Sequence, residues 1–575
     1  MIDTNRDRRS LMEQLAIQTV AKKKKLPKYI LISILLFIAN IVMMLLYFLP
    51  SFQQVPLNYS EQIKIYISGN DSEEVARFEN EQIYIPLNFI KKKVDESIQY
   101  DEKESLVIIT TNKEVYHFPI GNREGYLNTE PYKFTYPAIK NGDQILLPIK
   151  PLDVIYDFTY QFIPEQKTLS LQLQNTPIQQ GITLEKAKLR KEAKYRSPWF
   201  FQIDEGTPFN IIHEINGWYW IETPNGELGY IDKNQTTLTE IKQEKKQTNP
   251  YLPWNPIGSP IILTWEYATK TTVDPKKLGD FPSLQVVSPT WFHLKENGMV
   301  SNSADIKYVD WAKSQDYQIW ALFSNGFDPE LTHQMLSSSK QRMDVIKQLL
   351  SYVDLYQLDG INIDFENVNI EDKEYLVQFV RELTPLMHEK DRIVSMDVTF
   401  ISLSENWSMF YDREELSTIV DYIMVMAYDE HWANSPKAGS VASLPWVEKG
   451  LQRILQEVPN DKLILGLPFY TRLWIEETNE NGEVKVSSKT LSMEKAEEWI
   501  KEKEASIIVD ENSGQNYVEV KEDKTTYKIW IEDEFSINKR IELMKKYRLA
   551  GVAAWRRGFE TEDVWDSIHE KINKR

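Results

Sequence analysis

Eight short apolar runs alternate with amphipathic stretches over residues 258–575, and this alternation most constrains the fold. Short apolar runs bounded by turn residues are typical of buried strands, while helical spacing predicts helices at Ser338–Val353, Asp372–His388 and Leu444–Glu457. Strands that alternate with helices favour a parallel sheet, and eight such repeats predict an α/β fold of the (β/α)8 barrel (TIM barrel) type. The runs are Ile261–Tyr267, Leu284–Leu294, Tyr317–Phe323, Leu358–Glu366, Ile393–Phe400, Tyr422–Tyr428, Leu463–Tyr470 and Gly551–Trp555.

A larger insertion, residues 476–534, separates the seventh run from the eighth. It mixes a predicted helix, Ser492–Lys503, with strand-like segments, so a small α+β element is expected there. Its position after a barrel strand predicts that it forms one wall of a groove.

The fourth run ends in acidic residues. Because successive side chains of a strand point to opposite faces, Asn362, Asp364 and Glu366 share one face of this run. Two carboxyls this close cannot both ionise easily, so one pKa rises and that group can act as an acid near neutral pH. The alternative is a pair of carboxylates that only accept structural hydrogen bonds.

Four motifs at ordered strand ends resemble those of glycoside hydrolase family 18. They are the acidic segment Asp359–Glu366, Met426–Asp429 (MAYD), Gly466–Tyr470 (GLPFY) and Trp555. The resemblance covers residues 258–575. It implies a barrel enzyme that hydrolyses β-1,4 bonds of glycans containing N-acetylglucosamine and retains the anomeric configuration.

The resemblance also implies roles for individual residues. Glu366 would be the general acid and later the base, and Asp364 would orient the N-acetyl group of the substrate, whose carbonyl oxygen is the nucleophile. Tyr428 would hydrogen-bond that group, and Trp555 would form the floor beneath the sugar ring. Neither a cofactor nor a metal is implied. Further substrate-binding candidates are Asp359, Asn362, Met426, Asp429, Tyr470 and Arg472.

Asn362 departs from the family signature, which has an aspartate at this position. An amide cannot share a proton with Asp364 but can donate a hydrogen bond to it, which is expected to keep Asp364 ionised. The NIDFE spelling resembles the branch that contains spore-cortex and other peptidoglycan N-acetylglucosaminidases. Peptidoglycan is therefore the favoured substrate. A chitinase-like enzyme acting on chitin oligosaccharides and a catalytically idle glycan-binding protein remain alternatives, and endo or exo action stays open.

Four tryptophans lie near predicted strand ends. Trp265, Trp291, Trp320 and Trp432 could stack on sugar rings or pack in the core, and the sequence does not decide between these.

Residues 29–49 are 21 consecutive residues without a charge, a length that would span a bilayer core as a helix. A lysine cluster at residues 22–28 precedes them, and positive charge favours the cytoplasmic side. The pattern predicts a single-pass membrane anchor, with residues 1–28 as a cytoplasmic tail and the catalytic domain outside the cell, on the cell-wall side.

Two small modules are predicted between this segment and the barrel. Residues 53–175 contain a twofold strand–helix–hairpin repeat, which resembles the N-terminal domain of copper amine oxidases and predicts a spacer rather than a copper site. Residues 178–235 end in a hairpin around Asn225-Gly226 and resemble bacterial SH3-like domains, with cell-wall binding and a purely structural role both open. Residues 236–257 are polar to Pro-rich and predict a linker.

Composition excludes several functions. The chain has no cysteine, and its seven histidines are scattered, so no metal site is indicated. No Gly-rich phosphate loop is present, which argues against a nucleotide partner. The net charge is −18; residues 1–28 contribute +5, leaving −23 for the rest, a poor match for nucleic acid.

Overall fold

The computed structural model describes residues 28–54, 62–67, 70–79, 81–156, 158–163, 167–173, 177–242, 251–268 and 281–573. The chain divides into two compact units. One comprises Met1–Ile83 and Tyr156–Lys246, and the other comprises Tyr84–Ile155 and Gln247–Arg575. Residues 1–27 of the predicted basic tail and residues 243–250 of the predicted linker lie outside the described residues.

The first unit contains a helix, Lys28–Phe48, and two groups of strands. In the first group, Ile63–Ile67 pairs in parallel with Thr168–Leu173 and antiparallel with Asn70–Glu79, while Phe158–Ile163 pairs antiparallel with Thr168–Leu173. The second group is a seven-stranded antiparallel sheet. Its strands are Ile178–Thr183, Ala187–Arg190, Trp199–Ile203, Pro208–Ile215, Trp218–Glu222, Leu228–Asp232 and Thr236–Lys242, with a 3-10 turn at Lys233–Gln235.

The hairpin predicted in the SH3-like segment is present. Trp218–Glu222 pairs antiparallel with Leu228–Asp232, and Gly226 adopts the positive φ of 81° that its turn requires. Trp218 and Trp220 are only 7% and 6% exposed, so they pack in the interior and do not present their rings to solvent. The SH3-like assignment itself stays a prediction.

The predicted membrane anchor is contradicted. Within the part of the chain that the structure describes, no helix combines the length and the apolar character needed to cross a membrane. The single-pass topology predicted for residues 29–49, the membrane partner and the localisation built on them are therefore corrected.

The twofold repeat predicted within residues 53–175 is confirmed in its order of elements. The first copy runs from strand Gln82–Pro86 through helix Leu87–Lys93 to an antiparallel hairpin. The second runs from strand Gln144–Pro148 through helix Ile149–Ile155 to another hairpin. The hairpins are Gln99–Asp101 with Leu106–Thr110, and Phe158–Ile163 with Thr168–Leu173.

In the second unit, residues 84–155 pack against the barrel. Two strands, Gln144–Pro148 and Ile139–Asn141, pair with each other, and a five-stranded antiparallel sheet lies beside them. Ile108 and Val115 of this sheet belong to the same apolar core as the barrel helices. The five strands are Gln99–Asp101, Leu106–Thr110, Val115–Pro119, Glu124–Leu127 and Glu130–Lys133.

All eight predicted barrel strands are present and close on themselves. Every neighbouring pair is parallel, and the eighth strand pairs with both the seventh and the first. The (β/α)8 barrel predicted from the apolar runs is thus confirmed. In order, the strands are Ile261–Glu266, Val286–Pro289, Gln318–Ser324, Gly360–Asp364, Ile393–Thr399, Tyr422–Met426, Leu463–Pro468 and Gly551–Trp555.

The second apolar run does not form one strand. It breaks after Pro289, which has no N–H for a sheet hydrogen bond, and resumes as Phe292–Lys295. This second piece forms an antiparallel hairpin with Met299–Asn302, joined by a 3-10 turn.

The bottom of the barrel is closed by a residue that the sequence placed in a linker. Trp254 meets Trp320 edge-on, with ring centroids 6.1 Å apart, and its carbonyl accepts a hydrogen bond of 2.9 Å from the hydroxyl of Tyr422. Above it, inward side chains such as Leu263 and Met424 form an apolar layer. The predicted linker therefore extends too far, because its last residues belong to the barrel.

The helices surround the barrel and follow the predicted pattern. The insertion forms a five-stranded sheet with one helix, Met493–Glu502, close to the predicted position. Its strands are Tyr470–Thr478, Val484–Ser492, Ile508–Asp510, Gln515–Glu522 and Thr525–Ile531. The barrel helices are Ile306–Ser314, Pro329–Leu336, Ser339–Tyr356, Lys373–His388, Arg413–Ile419, Leu444–Ile454, Glu534–Tyr547 and Asp563–Asn573, with short turns at Ile370–Asp372 and Glu405–Met409.

Barrel closure depends on a glycine without a side chain. A Cβ at Gly551 would lie 2.0 Å from the carbonyl oxygen of Ile261 on the first strand. Gly551→Ala should therefore lower the free energy of unfolding by about 3 kcal/mol, as expected for overpacking, measured by denaturant titration. Gly482→Ala is the comparison, since nothing lies near its Cβ position and only its φ of 84° adds cost, about 1 kcal/mol. Equal losses would contradict this account of closure.

Candidate active site

The end of the fourth barrel strand carries the acidic residues. Asn362 is fully buried, Asp364 is 9% exposed, and Glu366 lies half-buried just beyond the strand, where it faces the mouth of the barrel. Among the described residues, no donor reaches Oδ1 of Asp364. This carboxyl oxygen is available for a bound molecule or a neighbouring acid.

The backbone of Glu366 is held by side chains from other segments. Asn325, fully buried after the third strand, accepts a hydrogen bond of 3.1 Å from the amide N–H of Glu366 and donates one of 2.7 Å to its carbonyl. The hydroxyl of Tyr411 donates to the carbonyl of Phe365 at 2.7 Å. These bonds fix the direction in which the Glu366 side chain leaves the strand.

Asn362 does not contact Asp364 as expected from the sequence. Its amide Nδ2 donates a 2.8 Å hydrogen bond to Oδ2 of Asp397 on the fifth strand, and its Oδ1 accepts one of 2.9 Å from the hydroxyl of Ser395. The expectation that Asn362 keeps Asp364 ionised is wrong, because parallel pairing places Asn362 opposite Ser395 and its amide reaches across to the next strand.

Burial and mutual repulsion raise the pKa values of the acids. Burial raises the pKa of Asp364 to about 7. Burial first, and then the charges of Asp364 and Asp429, raise the pKa of Glu366 well above its usual value. Burial first, and then the charge of Asp364, raise the pKa of Asp397 well above its usual value. Glu366 thus keeps its proton to a higher pH than an ordinary glutamate, while Asp364 titrates near neutral pH.

Four further candidates meet after the sixth and seventh strands. Oδ1 of Asp429 accepts hydrogen bonds from the hydroxyl of Tyr470 at 2.6 Å and from Nη2 of Arg472 at 2.9 Å. The ring of Tyr470 meets that of Tyr428 edge-on, at 6.0 Å between centroids. A Cβ at Gly466 would come within 3.1 Å of the Tyr428 ring, so this glycine makes room for the tyrosine.

Trp555 ends the eighth strand half-buried and is supported by Trp265, whose ring centroid lies 6.0 Å away. Met426, also half-buried, ends the sixth strand.

The four tryptophans near predicted strand ends differ in exposure to solvent. Trp265, Trp291 and Trp320 are at most 1% exposed and pack in the core, whereas Trp432 is 53% exposed and is the one of the four with a ring open to solvent.

Asp359 lies apart from the other candidates. It precedes the fourth strand at the opposite end of the barrel, and its Oδ2 accepts a 3.0 Å hydrogen bond from the backbone N–H of Ile319. Five residue steps separate it from Asp364, about 16 Å at the usual rise of a strand. It holds two strands in register and does not join the group at the mouth.

Three residues of the site were missed from the sequence: Asn325, Asp397 and Tyr411. Asp397 had a signal, since it alternates with Ser395 in an apolar run just as Asp364 alternates with Asn362 in the fourth. Asn325 directly follows a predicted strand, where polar residues of barrels often lie near the chemistry. Tyr411 belongs to no predicted strand and had no sequence signal.

The geometry suits one kind of chemistry. An acid whose pKa is raised, beside a second carboxyl that can ionise, is what cleavage of a glycosidic bond requires. The pair lies at the carboxyl end of barrel strands, where barrel enzymes carry out their reactions. The protein is a glycoside hydrolase.

The chain belongs to the glycosyl hydrolases family 18, whose family model matches residues 267–560, half of the chain. The model of the copper amine oxidase N-terminal domain matches residues 67–195. The resemblance of the N-terminal repeat to that domain is therefore supported.

Relatives agree with this family. The uncharacterized glycosylase YvbX of Bacillus subtilis (strain 168) is 27% identical over 323 residues, covering 54% of this chain and 91% of YvbX. The cortical fragment-lytic enzyme of Bacillus subtilis (strain 168) is 21% identical over 300 residues, covering 51% of this chain and 69% of the enzyme. The C-terminal domain of a candidate chitinase from Desulfitobacterium hafniense DCB-2 shares the fold, with a TM-score of 0.50, 22% identity, and coverage of 55% of this chain and 99% of that domain.

Loss of the Asn325 amide should misplace Glu366. Asn325→Ala removes both backbone hydrogen bonds, and we expect kcat to fall about 10- to 100-fold because the acid no longer points at the scissile oxygen. Thr332→Val is the control, since the hydroxyl of Thr332 also accepts from Asn325 at 2.9 Å but does not touch Glu366. Steady-state kinetics on a fluorogenic N-acetylglucosamine glycoside measure both. Equal effects of the two variants would show that Asn325 does not act through Glu366.

The raised pKa of Asp364 should also appear in stability. A carboxyl with a higher pKa in the folded state contributes stability that is present below its unfolded pKa of 3.8 and is lost as pH rises through about 7. Asp364→Asn removes this loss of stability, because an asparagine cannot ionise. We expect its Tm to match the native protein near about pH 4 and to exceed it by a few °C near about pH 8, measured by calorimetry.

The control is Glu480→Gln, whose side chain is 92% exposed and whose Tm difference should not change with pH. If the two variants show the same pH dependence, burial of Asp364 is not the cause.

Proposed function

We propose that the protein hydrolyses β-1,4 bonds of glycans that contain N-acetylglucosamine, with peptidoglycan as the favoured substrate, by substrate-assisted catalysis with retention of configuration. One observation carries the proposal. Asp364 ends the fourth strand and Glu366 follows two residues later, and burial with mutual repulsion raises the pKa of Glu366. Substrate assistance is an established route in this family.

In the first step, Glu366 gives its proton to the glycosidic oxygen. As the bond from the anomeric carbon to that oxygen breaks, the carbonyl oxygen of the substrate's own acetamido group forms a bond to the same carbon and gives a cyclic oxazolinium ion. Asp364, in its ionised form, accepts the acetamido N–H and stabilises the positive charge. The leaving sugar departs with the proton from Glu366.

In the second step, Glu366 acts as a base. It takes a proton from water, whose oxygen attacks the anomeric carbon and opens the ring of the oxazolinium ion. The acetamido group and the protonated Glu366 are regenerated. Two displacements at the same carbon give retention, and no nucleophile of the enzyme is required.

Neighbouring residues complete the proposal. The hydroxyl of Tyr428 holds the acetamido carbonyl oxygen, and the ring of Trp555 supports the apolar face of the sugar. Met426 borders the same floor. The network of Asp429, Tyr470 and Arg472 lies beside Tyr428 and offers hydrogen bonds to sugar hydroxyls.

The choice of peptidoglycan rests on sequence relatives. The cortical fragment-lytic enzyme is 21% identical over 300 residues. The segment NIDFE, with Asn362, resembles the branch of the family that contains spore-cortex and other peptidoglycan N-acetylglucosaminidases. Chitin oligosaccharides carry the same acetamido group, so they are the second substrate to test. An idle binding protein is less well supported, because both carboxyls are present.

Digestion of peptidoglycan and chitotetraose by the full chain, followed by mass spectrometry, tests the proposal. We expect new reducing ends at N-acetylglucosamine, and a loss of at least about 1,000-fold in rate for Glu366→Gln, because an amide cannot transfer the proton. Chitotetraose cleaved at a higher rate than peptidoglycan would reassign the substrate.

De-N-acetylated peptidoglycan is the matched control substrate. Without the acetyl group the nucleophile is missing, so it should not be cleaved even though its bonds are otherwise the same. Cleavage at an equal rate would exclude substrate assistance.

A further inference from the structure

A third buried carboxyl lies beside the two acids of the motif. Asp397, 2% exposed, is on the fifth strand, which pairs in parallel with the fourth. Asn362 pairs with Ser395 and Ile363 with Met396, so the next step of the register brings Asp364 beside Asp397. Register partners on parallel strands point to the same face about 4.8 Å apart, here the barrel interior.

The hydrogen bonds orient Asp397 toward Asp364. The hydroxyl of Ser395 donates to Oδ1 of Asn362, which leaves Nδ2 of Asn362 to donate to Oδ2 of Asp397. Among the described residues, no donor lies within hydrogen-bond distance of Oδ1 of Asp397 or of Oδ1 of Asp364. The indole N–H of Trp265 is the nearest other donor to Asp397, and it lowers the pKa of that carboxyl less than burial raises it. Two buried carboxyls on adjacent strands therefore each keep one oxygen without a donor.

Charge repulsion disfavours the state in which Asp364 and Asp397 are both ionised. Two carboxylates at this separation in a place with little water repel each other strongly, while one proton between them supplies the donor that both lack. The titratable groups that face Asp397 are Asp364 at the end of the fourth strand, Glu366 just beyond it, Tyr411 after the fifth strand and Tyr428 after the sixth. Both tyrosines are neutral at working pH because burial raises their pKa values.

We propose that Asp397 is a positioning residue that shares one proton with Asp364, and that it replaces the acid which Asn362 has displaced from the fourth strand. The inference rests on the proposed function, in which Asp364 must be ionised toward the substrate. The shared proton leaves the pair with one negative charge and holds Oδ1 of Asp364 inward, so that Oδ2 of Asp364 faces the acetamido N–H. The asparagine at position 362 is thus compatible with activity, since its amide holds Asp397 in place by a hydrogen bond.

Asp397→Asn is the first test. Its side-chain oxygen can still accept from Asn362, so the structural bond is kept, but the shared proton is lost. An amide donor is weaker than an acid donor to a carboxylate. We expect kcat to fall about 10-fold with KM nearly unchanged, and the acid limb of the pH profile of kcat/KM to move to higher pH, because Asp364 ionises less readily alone.

Asp421→Asn is the matched control. Asp421 is also a buried barrel aspartate, 5% exposed, but it lies at the start of the sixth strand and accepts from the backbone N–H of Val394 at 2.8 Å. Its variant should lose stability without any shift of the pH profile. If Asp397→Asn behaves in the same way, Asp397 is only structural and the proposal is overturned.

The exchange Asn362→Asp with Asp397→Asn is the rescue. It keeps a buried amide–carboxyl bond between these positions with the roles reversed, and it returns an acid to the face of Asp364. We expect the acid limb of this double variant to return toward the native pH. A double variant that is no closer to the native profile than Asp397→Asn contradicts proton sharing.

Infrared spectroscopy can detect the proton shared by Asp364 and Asp397 without an enzyme assay. In a Glu366→Gln background at about pH 9, where Asp364 on its own is ionised but the pair still holds its shared proton, addition of Asp397→Asn should remove one carboxylic-acid C=O band, whereas addition of Asp421→Asn should not. Absence of this loss overturns the proposal even if the enzyme is active. If no glycan is cleaved but the band is lost, the proposed function fails and the shared proton stands.

Discussion

Carboxyl groups buried side by side are the constraint on which the rest of this structure depends. Burial raises the pKa values of Asp364, Glu366 and Asp397, and the charge of Asp364 raises those of Glu366 and Asp397 further. Such a cluster costs free energy at neutral pH, so it persists only where the surrounding fold is stable enough to impose it. The same cost makes one acid able to give up a proton at neutral pH, which is the chemistry that glycoside hydrolysis needs.

The barrel imposes the cluster through close packing and backbone hydrogen bonds. Strand closure at Gly551 and the seal by Trp254 make the interior a rigid, filled core. At the mouth, Asn325 and Tyr411 hold the backbone beyond the fourth strand. Neither residue needs to touch a substrate. Because both hydrogen-bond to the backbone at Phe365 and Glu366, they fix the direction in which the Glu366 side chain points.

Most of the fold was predictable because it depends on periodicity. All eight barrel strands, the helix of the insertion and the twofold repeat follow from local patterns of apolar residues, which report burial directly. The error at Trp254 arose because the burial of a residue can be decided by segments elsewhere in the chain. Trp254 was placed in a linker because its neighbours are polar and Pro-rich, and the anchor predicted at residues 29–49 rested on local composition alone.

The sequence by itself determined the barrel, its order of strands, and the presence of Asp364 and Glu366 on one strand face, because alternation along a strand is a local property. Only the tertiary structure decided that Asn362 contacts Asp397 and not Asp364, that Asp359 lies at the far end of the barrel, and that Asn325 holds Glu366. These contacts join residues about 30 to 40 positions apart, and pairing between strands, not spacing along one, sets them.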